Sequence, residues 1–425
     1  MKIAIAGYGT EGAANYRYFS RDPSNELTIV DEKPGAELPE GVKTLLGPGV
    51  FERLDDFDLV LRSPGIAPRK ITTDGKIWSA TNEFFVKCPS PIIGVTGSKG
   101  KGTTSSLIAS ILEKAGKTVW LVGNIGRAAL DVLDQIQPSD IVVYELSSFQ
   151  LWDLERSPQT AVVLYIEQEH LDVHKDMAEY VQAKAQIAVH QHETDIVVYN
   201  KDNQYATSIA MGSPAQKVAY PDEEVAHTKE NSFYYGEQKI CSVDVLRIKG
   251  VHNQQNALAA IDAVCQYVTD PHVIEEGLHA FTGLPHRLEF VATKNDVDYY
   301  DDSIATTPSS AVAALNAFDQ PAVIIVGGSS KGSDFSVLAD ALKTKQAKAL
   351  FIGTEAKNIE AAAKNVGFSN YEVYEDYTMP ELVQRASELA AAGGVVLLSP
   401  AAASFDHFKN YADRGDQFKQ AVANL

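Results

Sequence analysis

Cysteine is scarce in this chain. The three present, Cys88, Cys241 and Cys265, are scattered among 425 residues and make neither a disulfide framework nor a metal knuckle. That fits a reducing compartment, so a cytoplasmic location is expected. No apolar run reaches the roughly 20 residues that span a bilayer, so no membrane insertion is expected. The opening Lys-Ile-Ala-Ile-Ala-Gly enters directly, which argues against a secretory leader. Basic residues are few as well: 37 Lys and Arg against 56 Asp and Glu give a formal net charge of −19. Such a surface repels polyanions and excludes a nucleic-acid binder. An anionic ligand must then be met by local cations and helix N-termini. Short-period repeats and low-complexity tracts are also missing.

What is there alternates. Apolar residues make up 45% of the chain, enough for two to four domains with ample cores. Strand-like runs are expected at Lys2–Ala6, Leu27–Val30, Thr118–Val122, Asp140–Glu145, Ala161–Ile166, Asp195–Tyr199, Ala322–Val326, Ala349–Ile352 and Val395–Leu398, with helical patterns between them. A strand-rich patch falls around Phe233–Val245, followed by a helix from about Asn253 to Tyr267. Alternation of this kind predicts an α/β fold with parallel sheets covered by helices. Three domains are expected. Residues 1–88 form a Rossmann-like N-terminal domain, 89–284 a central P-loop ATPase-type domain with a mostly parallel sheet, and 285–425 a Rossmann-like C-terminal α/β domain.

The most informative stretch is Gly94-Val-Thr-Gly-Ser-Lys-Gly-Lys-Gly-Thr-Thr104, after a short apolar run and before a helix-compatible segment. Glycines let backbone amides close on phosphate oxygens, and the helix start adds positive potential. The candidate triphosphate cradle is Gly97, Ser98, Lys99, Gly100, Lys101, Gly102, Thr103 and Thr104. Lys101 is expected to reach the terminal phosphates. Gly102 occupies the usual Ser/Thr place, which leaves Thr103 as the hydroxyl on the magnesium side.

Other constellations follow strands. Gly7-Tyr-Gly-Thr-Glu-Gly12 with Asp31 behind it has the spacing of a dinucleotide or other diphosphate site. Asn124-Ile-Gly126 and Glu145-Leu-Ser-Ser-Phe-Gln150 lie where open α/β sheets collect ligands, and Glu145 is a candidate magnesium ligand. His170 and His174 are four apart but lack the Glu of a metalloprotease motif. One of them is a candidate for a metal shell or a phosphate, against the bland reading as surface or core residues. Pro285-His286-Arg287, Asp302–Thr307, Gly327–Gly332 and Ser399–Tyr411 open the third block, where Arg287 and Lys331 suit phosphate or carboxylate. Ser404 and Lys409 suit an anionic substrate, although Ser404 serves equally as a helix cap.

Taken in order, these segments resemble the Mur ligase family, which builds the peptide stem of bacterial peptidoglycan. The resemblance covers essentially the whole chain. It is carried by Arg62-Ser-Pro-Gly-Ile66, Asn124-Ile-Gly126, Glu145–Gln150, Gly250-Val-His-Asn-Gln-Gln-Asn-Ala257, Pro285-His-Arg287 and Leu398–Tyr411 with Arg414-Gly415. It implies an ATP-dependent amide ligase working through an acyl phosphate, with UDP-N-acetylmuramoyl-L-alanine and D-glutamate as substrates. It further implies that Thr10, Glu11, Asp31, Ser63, Pro64 and Gly65 line a uridine-diphosphate site, with Asn124 contributing. Ser147 and Gln150 fall on the same substrate side. Lys101, Thr103, Glu145 and His170 would serve Mg-ATP, with two Mg²⁺ ions, and Lys184 matches a lysine that this family carbamylates into a metal ligand. Asn256, Arg287 and Asp302 match adenosine and phosphate contacts. Thr306, Lys331, Ser404, Phe405 and Tyr411 match amino-acid-binding positions. Tyr165, Glu169, Ile304 and Glu32 depart from the common residues at their positions. A monomer is expected. The alternatives are another Mur-type or folylpolyglutamate-type ligase, an NAD-dependent oxidoreductase built on Gly7–Gly12, and a nucleotide sensor without turnover.

Overall fold

The computed structural model describes residues 1–33, 38–248, 250–330 and 332–425. Lys331 therefore lies outside the described residues. The chain forms two compact units, Met1–Phe281 and Thr282–Leu425.

The first unit contains two parallel sheets. One is built from β1 (Lys2–Ala6), β2 (Glu26–Asp31), β3 (Lys43–Leu46), β4 (Leu59–Arg62) and β5 (Lys76–Trp78), in the order β3-β2-β1-β4-β5. Ile3 and Ile5 of β1 pack on one face while Ala4 and Ala6 pack on the other, as a period of two dictates. Connections leave β1 in one direction and reach β4 in the other, which opens a crevice beyond the strand ends between them.

The second sheet holds β6 (Ile92–Thr96), β7 (Val119–Gly123), β8 (Ile141–Glu145), β9 (Thr160–Val163), β10 (Ile196–Asn200) and β11 (Gln216–Tyr220), in the order β11-β10-β9-β6-β8-β7. All five residues of β6 are buried, because β8 and β9 flank it and helices cover both faces. The expected strand Ala161–Ile166 stops at Val163. Beyond it the chain turns across the end of β6, where Ser98 N donates to Tyr165 O at 2.9 Å.

The strand-rich patch resolves into a small antiparallel sheet of β12 (Ala226–Lys229), β13 (Ser232–Tyr235) and β14 (Gln238–Ser242). It shares one apolar core with the helices Lys101–Lys114, Val251–Val264 and Pro271–Ala280. Arg62, at the end of β4, ties the first sheet to the second. Its Nε and Nη2 each donate to Asp153 at 2.7 Å, and the side chain is fully buried.

The second unit has one six-stranded sheet: β15 (Glu289–Lys294), β16 (Val297–Asp301), β17 (Ala322–Gly327), β18 (Lys348–Ile352), β19 (Tyr371–Tyr374) and β20 (Val395–Leu398). The order is β15-β16-β20-β17-β18-β19, and only β15–β16 is antiparallel. Apolar clusters fill both faces.

Candidate active site

The phosphate loop is shaped by two glycines that no other residue can replace cheaply. Gly97 has φ +158°, and a Cβ there would sit 2.7 Å from Leu164 Cβ. Gly100 has φ +84°, in the left-handed region, and a Cβ there would run into Asn256 Oδ1. Lys101 opens the helix Lys101–Lys114 and curls back, donating from Nζ to Gly97 O at 3.0 Å and Ser98 O at 2.9 Å. Thr103 is buried in the first turn of the same helix. Ser98 Oγ lies 2.9 Å from Tyr180 Oη, and Lys99 pairs with Glu169 at 2.8 Å. Asn256 faces the loop from the helix Val251–Val264.

Lys184, on the helix Met177–Val189, projects beneath this loop. Its Nζ donates to Gly97 O at 2.8 Å and lies 4.6 Å from the centre of the Tyr180 ring. The side chain is buried, and burial foremost, then repulsion by Lys101, holds its pKa well below that of a free lysine; Glu169 and Glu145 pull the other way. Glu145 ends β8 and is buried beside β6, in register with Val95. His170 takes a positive φ of +58° and is partly exposed, its ring 4.9 Å from that of Phe149. Burial lowers its pKa despite Glu169 nearby, so the ring is neutral at pH 7 and able to ligate. His174 is different. It is buried, stacked on Phe149 at 5.4 Å and bonded to Ser148 Oγ at 3.0 Å, the bland core reading.

The residues expected to hold UDP also come together. A cleft of about 400 Å³ beyond β1 and β4 is lined by Thr10, Glu11, Asp31, Ser63, Pro64 and Gly65. Lys33, Phe51 and Lys70 line it too, and sequence reasoning missed them; two cations and a ring in loops between strands give no local signal. Asp31 uses both oxygens on backbone, accepting from Tyr8 N at 2.8 Å and Lys33 N at 2.9 Å. It therefore helps to shape the turn at the mouth of the cleft. Ser147 and Gln150 form a capping box for the short helix Ser148–Leu151, and Gln150 Nε2 comes within 3.5 Å of Glu11 Oε2. Asn124 follows β7, its amide 3.3 Å from Glu145 O.

In the second unit, Asp302 holds two loops together by accepting from Leu288 N at 3.1 Å and Ser399 Oγ at 2.7 Å. Burial pushes its pKa up to about 6. Arg287 is exposed between His286 and Leu288, both with positive φ, and His286 Nδ1 lies 2.7 Å from Asp301. Thr306 and Ser404 sit on loops joined by the bond from Ala401 N to Ala305 O at 2.8 Å. Ser404 caps no helix: Asn410 caps Tyr411–Ala423 instead. Phe405 is 72% exposed, and Tyr411 is also open to solvent. Arg414 carries no role in the sequence reading, yet it is fully buried and donates to the carbonyls of Ser303, Ala402 and Ala403. The one signal was an Arg on the inner face of the last helix.

Among the described residues, the one trio of His and carboxylate groups within 4.8 Å of one another is His286, Glu289 and Asp301. Its members already bond to each other and to Lys419, which lies 3.3 Å from Glu289. No helix among the described residues is long and apolar enough to cross a membrane.

Residues 95–264 match the Mur ligase middle domain, and residues 286–402 match the Mur ligase glutamate ligase domain. The chain is 36% identical to the UDP-N-acetylmuramoylalanine–D-glutamate ligase of Clostridium tetani, covering 100% of this chain and 97% of that protein. It is 35% identical to the ligase of the same name from Ruminiclostridium cellulolyticum, with the same coverage. Among solved structures it is similar to the UDP-N-acetylmuramate-alanine ligase MurC of Thermotoga maritima, with a TM-score of 0.61, 20% identity and coverage of 100% and 99%. It also shares its fold with the MurF ligase of Thermotoga maritima in complex with ADP, with a TM-score of 0.58, 16% identity and coverage of 99% and 94%.

Proposed function

The chain belongs to the Mur ligase family, and from that premise we propose that it joins D-glutamate to UDP-N-acetylmuramoyl-L-alanine at the expense of ATP, in peptidoglycan precursor synthesis. The alanyl carboxylate attacks the γ-phosphorus and ADP departs, leaving an acyl phosphate. The glutamate amine then attacks the acyl carbon, and phosphate leaves as the amide forms and the amine proton is lost.

Phosphoryl transfer depends on positioning and on neutralising charge. Lys101 is assigned to the terminal phosphates, exchanging its two loop carbonyls for phosphate oxygens. The amides of Gly97–Thr104 are assigned to the rest of the triphosphate, and Asn256, Arg287 and Asp302 to adenosine and phosphate. Thr103, Glu145, His170 and Lys184 are assigned to magnesium, which neutralises phosphate charge when bound. The oxygen donors, a carboxylate and a hydroxyl, suit that ion, and the neutral His170 imidazole can accompany them without adding positive charge. Burial, which holds the Lys184 pKa well below that of a free lysine, favours loss of its proton, and the neutral amine is the form that adds CO₂, releasing a proton and becoming an anionic carbamate. The cleft of the first sheet is assigned to the UDP moiety, with Asn124, Ser147 and Gln150 beside it. Thr306, Lys331, Ser404, Phe405 and Tyr411 are assigned to glutamate. We read the domains as 1–88, 89–284 and 285–425, and the protein as a cytoplasmic monomer.

The observation that carries this reading is the full-length likeness to D-glutamate ligases. The experiment offers purified protein Mg-ATP, UDP-N-acetylmuramoyl-L-alanine and a panel of amino acids, and weighs the products by mass spectrometry. One added D-glutamate is the expected product. Addition of a different amino acid, or none, overturns the assignment.

A further inference from the structure

Glu11 has an unexpected charge for its position. It stands in the first turn of the helix Thr10–Phe19, whose N-terminus opens into the cleft without a side-chain cap. Such a helix start favours an anionic ligand, and a second anion beside that ligand is repelled. The carboxyl is also poorly provided for. Oε1 is shut off from solvent and has no hydrogen-bond partner, and Oε2 has the amide of Gln150 at the 3.5 Å limit.

The counter-charge that acts on it, Arg62, spends its hydrogen bonds elsewhere. Arg62 from β4 directs its donors to Asp153 and to the carbonyls of Pro64, Ile66 and Phe149. Asp153 is itself acidic, and Tyr144 of β8 is buried and neutral. On the open side the cleft presents Asp31 and Glu32 as well as Lys33 and Lys70. A carboxylate left in this setting is costly, whereas a carboxylic acid has a donor to offer.

We propose that Glu11 is a substrate-binding acid: its carboxyl carries a proton and, turning from its enclosed position toward the cleft that Glu11 lines, donates it as a hydrogen bond to the diphosphate of the UDP-linked substrate. This rests on the reading that the cleft takes the UDP moiety. Where the free carboxyl is ionised, binding takes up one proton from solvent, and the bond formed is of the short, charge-assisted kind. Burial outweighs the Arg62 charge and pushes the carboxyl up to about 7, so the exchange falls near neutral pH. Substrate capture is then coupled to pH at a place remote from the phosphate loop.

Calorimetric titration of the full chain with UDP-N-acetylmuramoyl-L-alanine tests this, because the ligand's esterified diphosphate and alanyl carboxyl stay ionised throughout. Affinity is expected to weaken by up to roughly 30-fold between about pH 6 and pH 8.5. In two buffers of different ionisation enthalpy, uptake at about pH 8 is expected to approach one proton. The Glu11→Gln variant keeps a donor but cannot titrate, so its affinity is expected to be flat with pH and its uptake near zero. A flat wild-type profile without uptake, or a Glu11→Gln variant that keeps the wild-type slope and uptake, overturns the role of Glu11 while leaving the cleft assignment standing. No binding at any pH overturns both. Should the variant fail to fold, wild-type proton uptake alone decides.

Discussion

Lys184 Nζ donates to the Gly97 carbonyl across 2.8 Å, so the helix Met177–Val189 reaches the first residue of the phosphate loop through one buried amine. Removing the amine takes away both this tether and the proposed carbamate. Lys184→Ala is expected to lower phosphate release by about 100-fold or more, with partial recovery on adding short carboxylic acids. Lys184→Arg, permanently charged, is expected to stay inactive and unrescued. Turnover in the presence of all substrates measures both, and an unimpaired Lys184→Ala removes the carbamate from the mechanism.

Lys101→Ala removes the cation assigned to the terminal phosphates. A loss of about 100-fold or more in phosphate release is expected. Affinity for UDP-N-acetylmuramoyl-L-alanine, measured by calorimetry, should not change, because the cleft assigned to UDP lies beyond a different sheet.

Gly100→Ala meets two obstacles at once. The left-handed backbone costs about 1–2 kcal/mol for a residue with a Cβ, and the added carbon collides with Asn256. Nucleotide affinity should fall by roughly tenfold or more, read by titration with a fluorescent ATP analogue.

Arg62→Met leaves Asp153 without its partner at a largely buried position and is expected to cost about 3 kcal/mol in denaturant unfolding. Arg17→Ala breaks a pair of comparable length, Arg17–Asp131 at 2.6 Å, but both partners are substantially exposed. It should cost less than about 1 kcal/mol. Equal losses would contradict the burial argument.

Asp262, on the helix Val251–Val264, accepts from Ala226 N at 3.0 Å while Oδ2 is buried without a partner. Burial pushes its pKa up to about 7 from 3.8. Between those values the folded state holds a proton that the unfolded state has lost, so stability falls as pH rises through this window. Asp262→Asn should match wild type below about pH 4, gain on it up to about pH 7, and keep a constant advantage of roughly 2–4 kcal/mol above. Thermal melts across that range provide the check.

Much of the phosphate loop was legible in the sequence because its function is local: glycines, a lysine and hydroxyls at fixed spacing between a buried strand and a helix. Parallel strands such as β6 and β17 were legible because burial on both faces makes them apolar throughout. Contacts between distant segments were not. Nothing near Arg414 announces that it anchors three carbonyls, and nothing near His174 separates it from His170; burial against Trp152 and the bond to Ser148 do. The end of β9 likewise depended on a hydrogen bond to the phosphate loop, 67 residues away in sequence, between Ser98 N and Tyr165 O.

The placement of β20 has a bearing on biosynthesis. The last strand to be made, Val395–Leu398, is inserted between β16 and β17 near the middle of its sheet. While the polypeptide is still leaving the ribosome, the C-terminal unit is therefore two half-sheets with bare edges, open to mispairing. Only a chain extended past Leu398 can close it, so a chain that stops before this strand cannot complete the sheet.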